Sequence, residues 1–188
     1  MMKVLKRLVM LVTVISIVSG FGLTTSASYP YGEPLNSNDE LIGRDSVDLL
    51  ARMVYGEAMS ESFVGKEAVA MVAYNRKRYN DSEFGGNTYE GVLLHEPGFD
   101  SMQGTIVLQP DLNSGDWESS LQIARNMPRA NPIGKCLWFV KNNLYSTLSR
   151  INSEGNEEFK FNSSPFWKLV VEKQVIGNHT FFRLEGYD

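Results

Sequence analysis

The chain has 188 residues, 43% of them hydrophobic and 11% aromatic, which suits one globular domain and is too short for two ordinary domains plus a leader. Its formal net charge is −4, and a chain this acidic is a poor candidate for binding nucleic acid, which draws on Lys and Arg at phosphates. A single cysteine, Cys136, excludes an intrachain disulfide, and its place in the apolar run CLWFV predicts a buried thiol.

Residues 1–27 read as a secretion signal. Lys3, Lys6 and Arg7 precede an apolar run from Leu8 to Val18, and Thr25 and Ala27 supply small residues for cleavage. The run is interrupted by Thr13, Ser16, Ser19 and Gly20 and falls short of the ~20 apolar residues that span a bilayer comfortably. Cleavage would leave 15 Lys+Arg against 22 Asp+Glu, a net charge of −7, on a protein with no further membrane segment. Residues 28–44 are rich in Pro, Gly, Asn and Ser and read as a linker, with the functional domain over 45–188.

A first helix is predicted from Asp45 to Met59, capped by Asp45 or Ser46. Leu49, Leu50, Met53, Val54 and Ala58 form its apolar stripe. Glu57 lies beside that stripe, where two readings fit: a solvated glutamate in the last turn, or a desolvated carboxyl with a raised pKa, able to act as a general acid. After a break at Met59–Ser62, a second helix is predicted over Val64–Arg78, its small residues Ala68 and Ala73 allowing close approach to the first. Thr88 is a plausible N-cap for YEGVLL, His95-Glu96-Pro97-Gly98 is a turn, and Asp116–Met127 is a third long helix capped by Asp116 or Ser114. Cys136–Val140 reads as a strand. LVVEKQVI and HTFFRL flank Gly177-Asn178 as a tight hairpin. The expected class is α+β: a mainly helical domain with a small antiparallel sheet.

The chemistry narrows by exclusion. Only two histidines, His95 and His179, are present, with no HExxH, so the usual zinc spacing is missing. No GxSxG elbow and no Gly-rich phosphate loop occur, and no cofactor or metal is expected. Carboxylate chemistry remains, of the kind that cleaves sugar polymers. Glu61, four residues after Glu57, is either a second charge that raises the Glu57 pKa or a brace for the following turn. Asp100 either faces the cleft or bonds its own turn. Phe99, Trp138 and Phe139 are candidate sugar platforms, with core packing as the alternative, and His179 either contacts substrate or Glu61 or is structural.

Four segments, MVYGEAMSE (Met53–Glu61), GKEAVAMVAYNR (Gly65–Arg76), YEGVLLHEPGFDSM (Tyr89–Met102) and IGNHTFF (Ile176–Phe182), together resemble the SleB/CwlJ family of cell-wall and spore-cortex-lytic enzymes. The resemblance implies a fold similar to lytic transglycosylases and goose-type lysozyme, and cleavage of the bond between N-acetylmuramic acid and N-acetylglucosamine. It implies Glu57 as catalytic acid. Glu61, Asn75, Arg76, Phe99 and the Gly177-Asn178-His179 turn match the other family motifs. The family's asparagine after the third helix falls on Asn142 or Asn143, within WFVKNN. The loop departs from the family pattern, with Phe99 directly after Gly98 and Asp100 next. Glu61, Phe99, Asp100, Asn142 and His179 are therefore the expected substrate-binding residues. The expected partner is peptidoglycan, of the wall or the spore cortex, and the expected location is outside the cell.

Overall fold

The computed structural model describes residues 30–188; the expected signal at 1–27 lies outside the described residues. Helix α1 spans Ser46–Ala58 and starts at Asp45, whose side chain accepts the Val47 N–H at 2.8 Å. Helix α2 (Phe63–Tyr79) is capped by Ser62 and ends in a left-handed Asn80. Helix α3 (Tyr89–Leu94) carries the Thr88 cap, and α4 (Gly115–Arg125) is capped by Ser114 rather than Asp116. All four predicted helices are present, because each is set by a local cap followed by an apolar period.

Helix α1 is enclosed by α2, α3, α4 and the turns at 100–107. Its expected stripe is buried, and so are Asp48, Ala51, Arg52 and Tyr55 on its other sides. Burying a guanidinium requires that its donors be matched. Arg52 donates to Asp48 at 2.9 Å and to the carbonyls of Val107 at 2.6 Å and Glu33 at 2.7 Å. Asp48 in turn accepts the Gly32 N–H at 2.7 Å. Residues 30–44, expected as a linker, are thereby part of the folded unit: Leu35 and Leu41 are buried in the core, and Leu35 N–H pairs with Leu108 O. Their Pro and Gly content marks turns in a packed strap.

The C-terminal half is a five-stranded antiparallel sheet in the order β1-β5-β4-β3-β2, from Trp138–Lys141, Ser149–Ile151, Glu157–Phe159, Lys168–Ile176 and His179–Leu184. Strand β1 begins two residues later than expected, because Cys136 and Leu137 lie buried in the preceding loop. Helix α5 (Asn142–Leu148) follows β1 directly. The β4–β5 hairpin turns at Gly177-Asn178 as predicted, with Gly177 at φ +59°. On the inner side of the sheet Phe181 joins the helical core, while Phe182 packs with Tyr145 and Phe159 in a second cluster.

Candidate active site

A cleft of about 550 Å³ opens where the C-terminal end of α1 meets the β1–α5 junction and the β4–β5 turn. Glu57, Ser60 and Glu61 line the helical side; Lys141, Asn142, Asn143, Asn178 and His179 line the other. The sequence separation between these walls is why only tertiary structure reveals the cleft. A second groove, of about 470 Å³, runs along Tyr74, Tyr79 and Tyr187, but its only acid is the exposed Asp188. A general acid needs a partly desolvated carboxyl, and the first cleft holds one in Glu57.

Glu57 is half-buried at the end of α1. Its carboxylate accepts the Ser101 N–H at 2.9 Å, across 44 residues of sequence. Burial raises its pKa, and Asp100, exposed on the adjoining turn, adds to the rise. The Ser101 contacts and the charge of Arg76 act in the opposite direction, and desolvation outweighs them. The result is a carboxyl that keeps its proton to higher pH than an ordinary glutamate.

Arg76 is buried beneath this corner. Its guanidinium donates to Leu137 O at 2.8 Å and lies 4.8 Å from the centre of the Phe99 ring. Burial brings its pKa down to about 10, so it stays cationic at neutral pH. The neighbouring Asn75 donates to the carbonyls of Gly134 at 2.9 Å and Cys136 at 2.8 Å, tying α2 to the loop before β1.

Glu61 is buried, and both its oxygens accept the Asn178 N–H, at 3.3 Å each. It braces the hairpin turn, and its backbone carbonyl accepts from Lys66, which is also held by Met59 O and Asp116. His179 stands with Nδ1 3.5 Å from Glu61 Oε1, its ring edge-on to Phe139. Burial lowers the His179 pKa more than Glu61 raises it, so the imidazole is neutral at pH 7. Asn142 uses both ends of its amide inside the protein, donating to Gly177 O at 3.0 Å and accepting from Thr180 Oγ1 at 2.9 Å. Asn143 is exposed on the rim.

Phe99 is not available as a sugar platform. It is 3% exposed, packed between Arg76 and Phe139, because the turn at His95–Gly98 directs its ring inward. Trp138 and Phe139 likewise belong to ring clusters, Trp138 with Phe182 and Tyr187, Phe139 with Phe181. Cys136 is buried and its thiol is pushed up to about 12, as its apolar setting predicts.

Sequence reasoning missed Ser101 and Lys141, and it placed Asn178 in the hairpin turn and the family motif without its contact to Glu61. One signal pointed toward Ser101. Gly56 sits in the last turn of α1, still inside the helix, where glycine costs up to roughly 1 kcal/mol against alanine, and such a glycine marks a close approach. A Cβ there would lie 2.6 Å from Ser101 Cβ and 2.7 Å from Val107 Cγ1.

Residues 60–182 match the Cell Wall Hydrolase family, a span that starts three residues past Glu57 and takes in Glu61, the sheet and the hairpin turn. Two solved structures are similar. One is the catalytic domain of the germination-specific lytic transglycosylase SleB from Bacillus anthracis, with 23% identity over 76% of this chain and 98% of that one, and a TM-score of 0.47. The other is the catalytic domain of the Bacillus cereus SleB protein, with 23% identity over 73% of this chain and 89% of that one, and a TM-score of 0.45. No curated protein matches the chain. The chain belongs to the cell wall hydrolase family and is a peptidoglycan-cleaving enzyme.

Proposed function

We propose that the protein is a secreted lytic transglycosylase that cuts the glycan strand between N-acetylmuramic acid and N-acetylglucosamine, with Glu57 as its single acid and base. The observation that carries this reading is the cleft with one half-buried, raised-pKa carboxyl, whose other lining acid, Glu61, is engaged by the hairpin turn. Glu61 has both oxygens turned to the Asn178 N–H and supports the wall of the cleft.

Glu57 donates its proton to the glycosidic oxygen as the C1–O bond breaks, and N-acetylglucosamine leaves with a hydroxyl. The resulting carboxylate then takes the proton of the muramic acid C6 hydroxyl while that oxygen bonds to C1, closing a 1,6-anhydro ring and restoring the acid. No water is consumed. Positioned proton transfer of this kind contributes roughly 10²–10⁴-fold. Asn142 and Glu61 act as positioning residues that hold the hairpin wall, and Lys141 and Asn143 offer polar groups to the glycan from the rim. The leader at 1–27 delivers the enzyme to its wall or cortex substrate, and residues 30–188 form the catalytic unit.

Purified protein incubated with sacculi, followed by mass spectrometry of the released muropeptides, tests this reading. The expected products carry 1,6-anhydro ends. Reducing ends that have gained water would instead mark a muramidase, in which the exposed Asp100 beside Glu57 activates the water. Glu57→Gln is expected to abolish release; activity equal to wild type would remove Glu57 from the mechanism.

A further inference from the structure

Among the described residues, Ser101 has a feature that the reaction as written does not use. Its hydroxyl is buried and meets no hydrogen-bond partner of full geometry. Buried hydroxyls are nearly always paired, so an unpaired one needs a reason. The same residue gives its backbone N–H to Glu57 at 2.9 Å, which places the hydroxyl at the edge of the acid. The approach is tight enough that the helix opposite can hold only glycine: a side chain at Gly56 would fall 2.6 Å from Ser101 Cβ and 2.7 Å from its Oγ.

We propose that Ser101 is a positioning residue for the acid: its N–H anchors one Glu57 oxygen throughout, and its hydroxyl rotates to donate to the carboxylate once Glu57 has given up its proton. This inference rests on Glu57 being the acid. While Glu57 is protonated the anchored oxygen needs one donor, and the serine hydroxyl lies beside the carboxyl without a fully formed bond. When the proton has passed to the leaving group, the carboxylate is an acceptor at both oxygens with full charge, and a hydroxyl already inside the protein meets it without admitting water. Excluding water at that moment favours the C6 hydroxyl as the attacking group. Gly56 is the structural counterpart, since its missing side chain lets the turn at Ser101 lie against the helix.

Other charges face Glu57 from each neighbouring element. Asp100 comes from the same turn as Ser101, Arg76 from α2, Glu61 from the α1–α2 connection, and Lys141 and His179 from the sheet. Asp100 and Arg76 oppose one another at the carboxyl.

The test combines pH profiles with a direct titration of Glu57. Ser101→Ala removes the hydroxyl and keeps the N–H. Loss of a donor to the charged form is expected to move the Glu57 pKa up by about one unit, read by carbon-13 NMR of labelled glutamate carboxyls in the whole protein. The alkaline limb of the lysis rate moves up with it, and the maximal rate falls roughly tenfold as the base form loses its support. Gly56→Ala, which forces the turn away, is expected to shift the titration in the same direction and serves as the readout if Ser101→Ala does not fold. A Glu57 titration unchanged in the folded variants overturns the proposal. If the titration shifts while Glu57→Gln remains fully active, the Ser101 contact is real, Glu57 is not the acid, and both the mechanism and the catalytic role of Ser101 fall.

Discussion

Glu57 occupies a position that costs the folded state stability. Its pKa is raised on folding, so between the ordinary carboxylate pKa and the raised one the folded protein binds more protons than the unfolded chain. Stability therefore falls as pH rises through that window, and the penalty is complete above the folded pKa. Replacing the carboxyl with an amide removes it. Glu57→Gln is expected to melt at a higher temperature than wild type at pH 7 and at nearly the same temperature at pH 4, by calorimetry at the two pH values. An equal shift at both would mean that the carboxyl is not desolvated. Phe99 gives the complementary case, since a ring packed against Arg76 and Phe139 contributes to the core. Phe99→Ala is expected to lower stability by about 3–5 kcal/mol, read by urea unfolding.

At the scale of elements, α1 explains both what the sequence reveals and what it conceals. Its boundaries, cap and stripe are local properties, and Thr88 and Ser114 set α3 and α4 in the same way. The burial of Asp48 and Arg52 is not local: it depends on a strap 16 to 19 residues upstream and a turn 55 residues downstream, and the polar, Pro- and Gly-containing sequence of 30–44 hides two leucines that enter the core. Strands β2 and β3, of three residues each, and helix α5 had no periodicity long enough to read; β2 exists through pairing with β3, β3 through pairing with β4, and α5 through packing of Tyr145 on Phe182. The expected linker can be tested by deletion. A chain beginning at residue 45 loses Leu35 and Leu41, worth about 1.5–3 kcal/mol each when buried, and leaves Arg52 and Asp48 short of partners. Its melting temperature is expected to fall by about 10 °C or more. A deletion variant as stable as wild type would mean that the strap is dispensable.

For the whole molecule, the cleft is a joint between a helical half and a sheet half, and few polar contacts hold it. Glu61 and Asn178 are 117 residues apart and meet at the turn where Gly177 takes φ +59°. A Cβ at Gly177 would fall 2.0 Å from Glu61 Oε2. Gly177→Ala adds a left-handed backbone cost of about 1–2 kcal/mol and pushes the clamp open. Lysis is expected to drop at least tenfold while circular dichroism stays native, because the core lies elsewhere; full activity would separate the clamp from the site. Glu57 was legible in the sequence as one of two readings; the opposite wall was legible as a hairpin and, through the family resemblance, as Asn142 and His179, but nothing local says that the turn will meet Glu61.

The clamp also orders events during synthesis. Helices α1 to α4 and Glu57 are complete once the first 125 residues have been made, but the wall across from Glu57 is supplied by residues 141–143 and 178–179. A chain released before its final hairpin therefore holds Glu57 facing open water, and the candidate site is whole only when its last two strands have closed the far side.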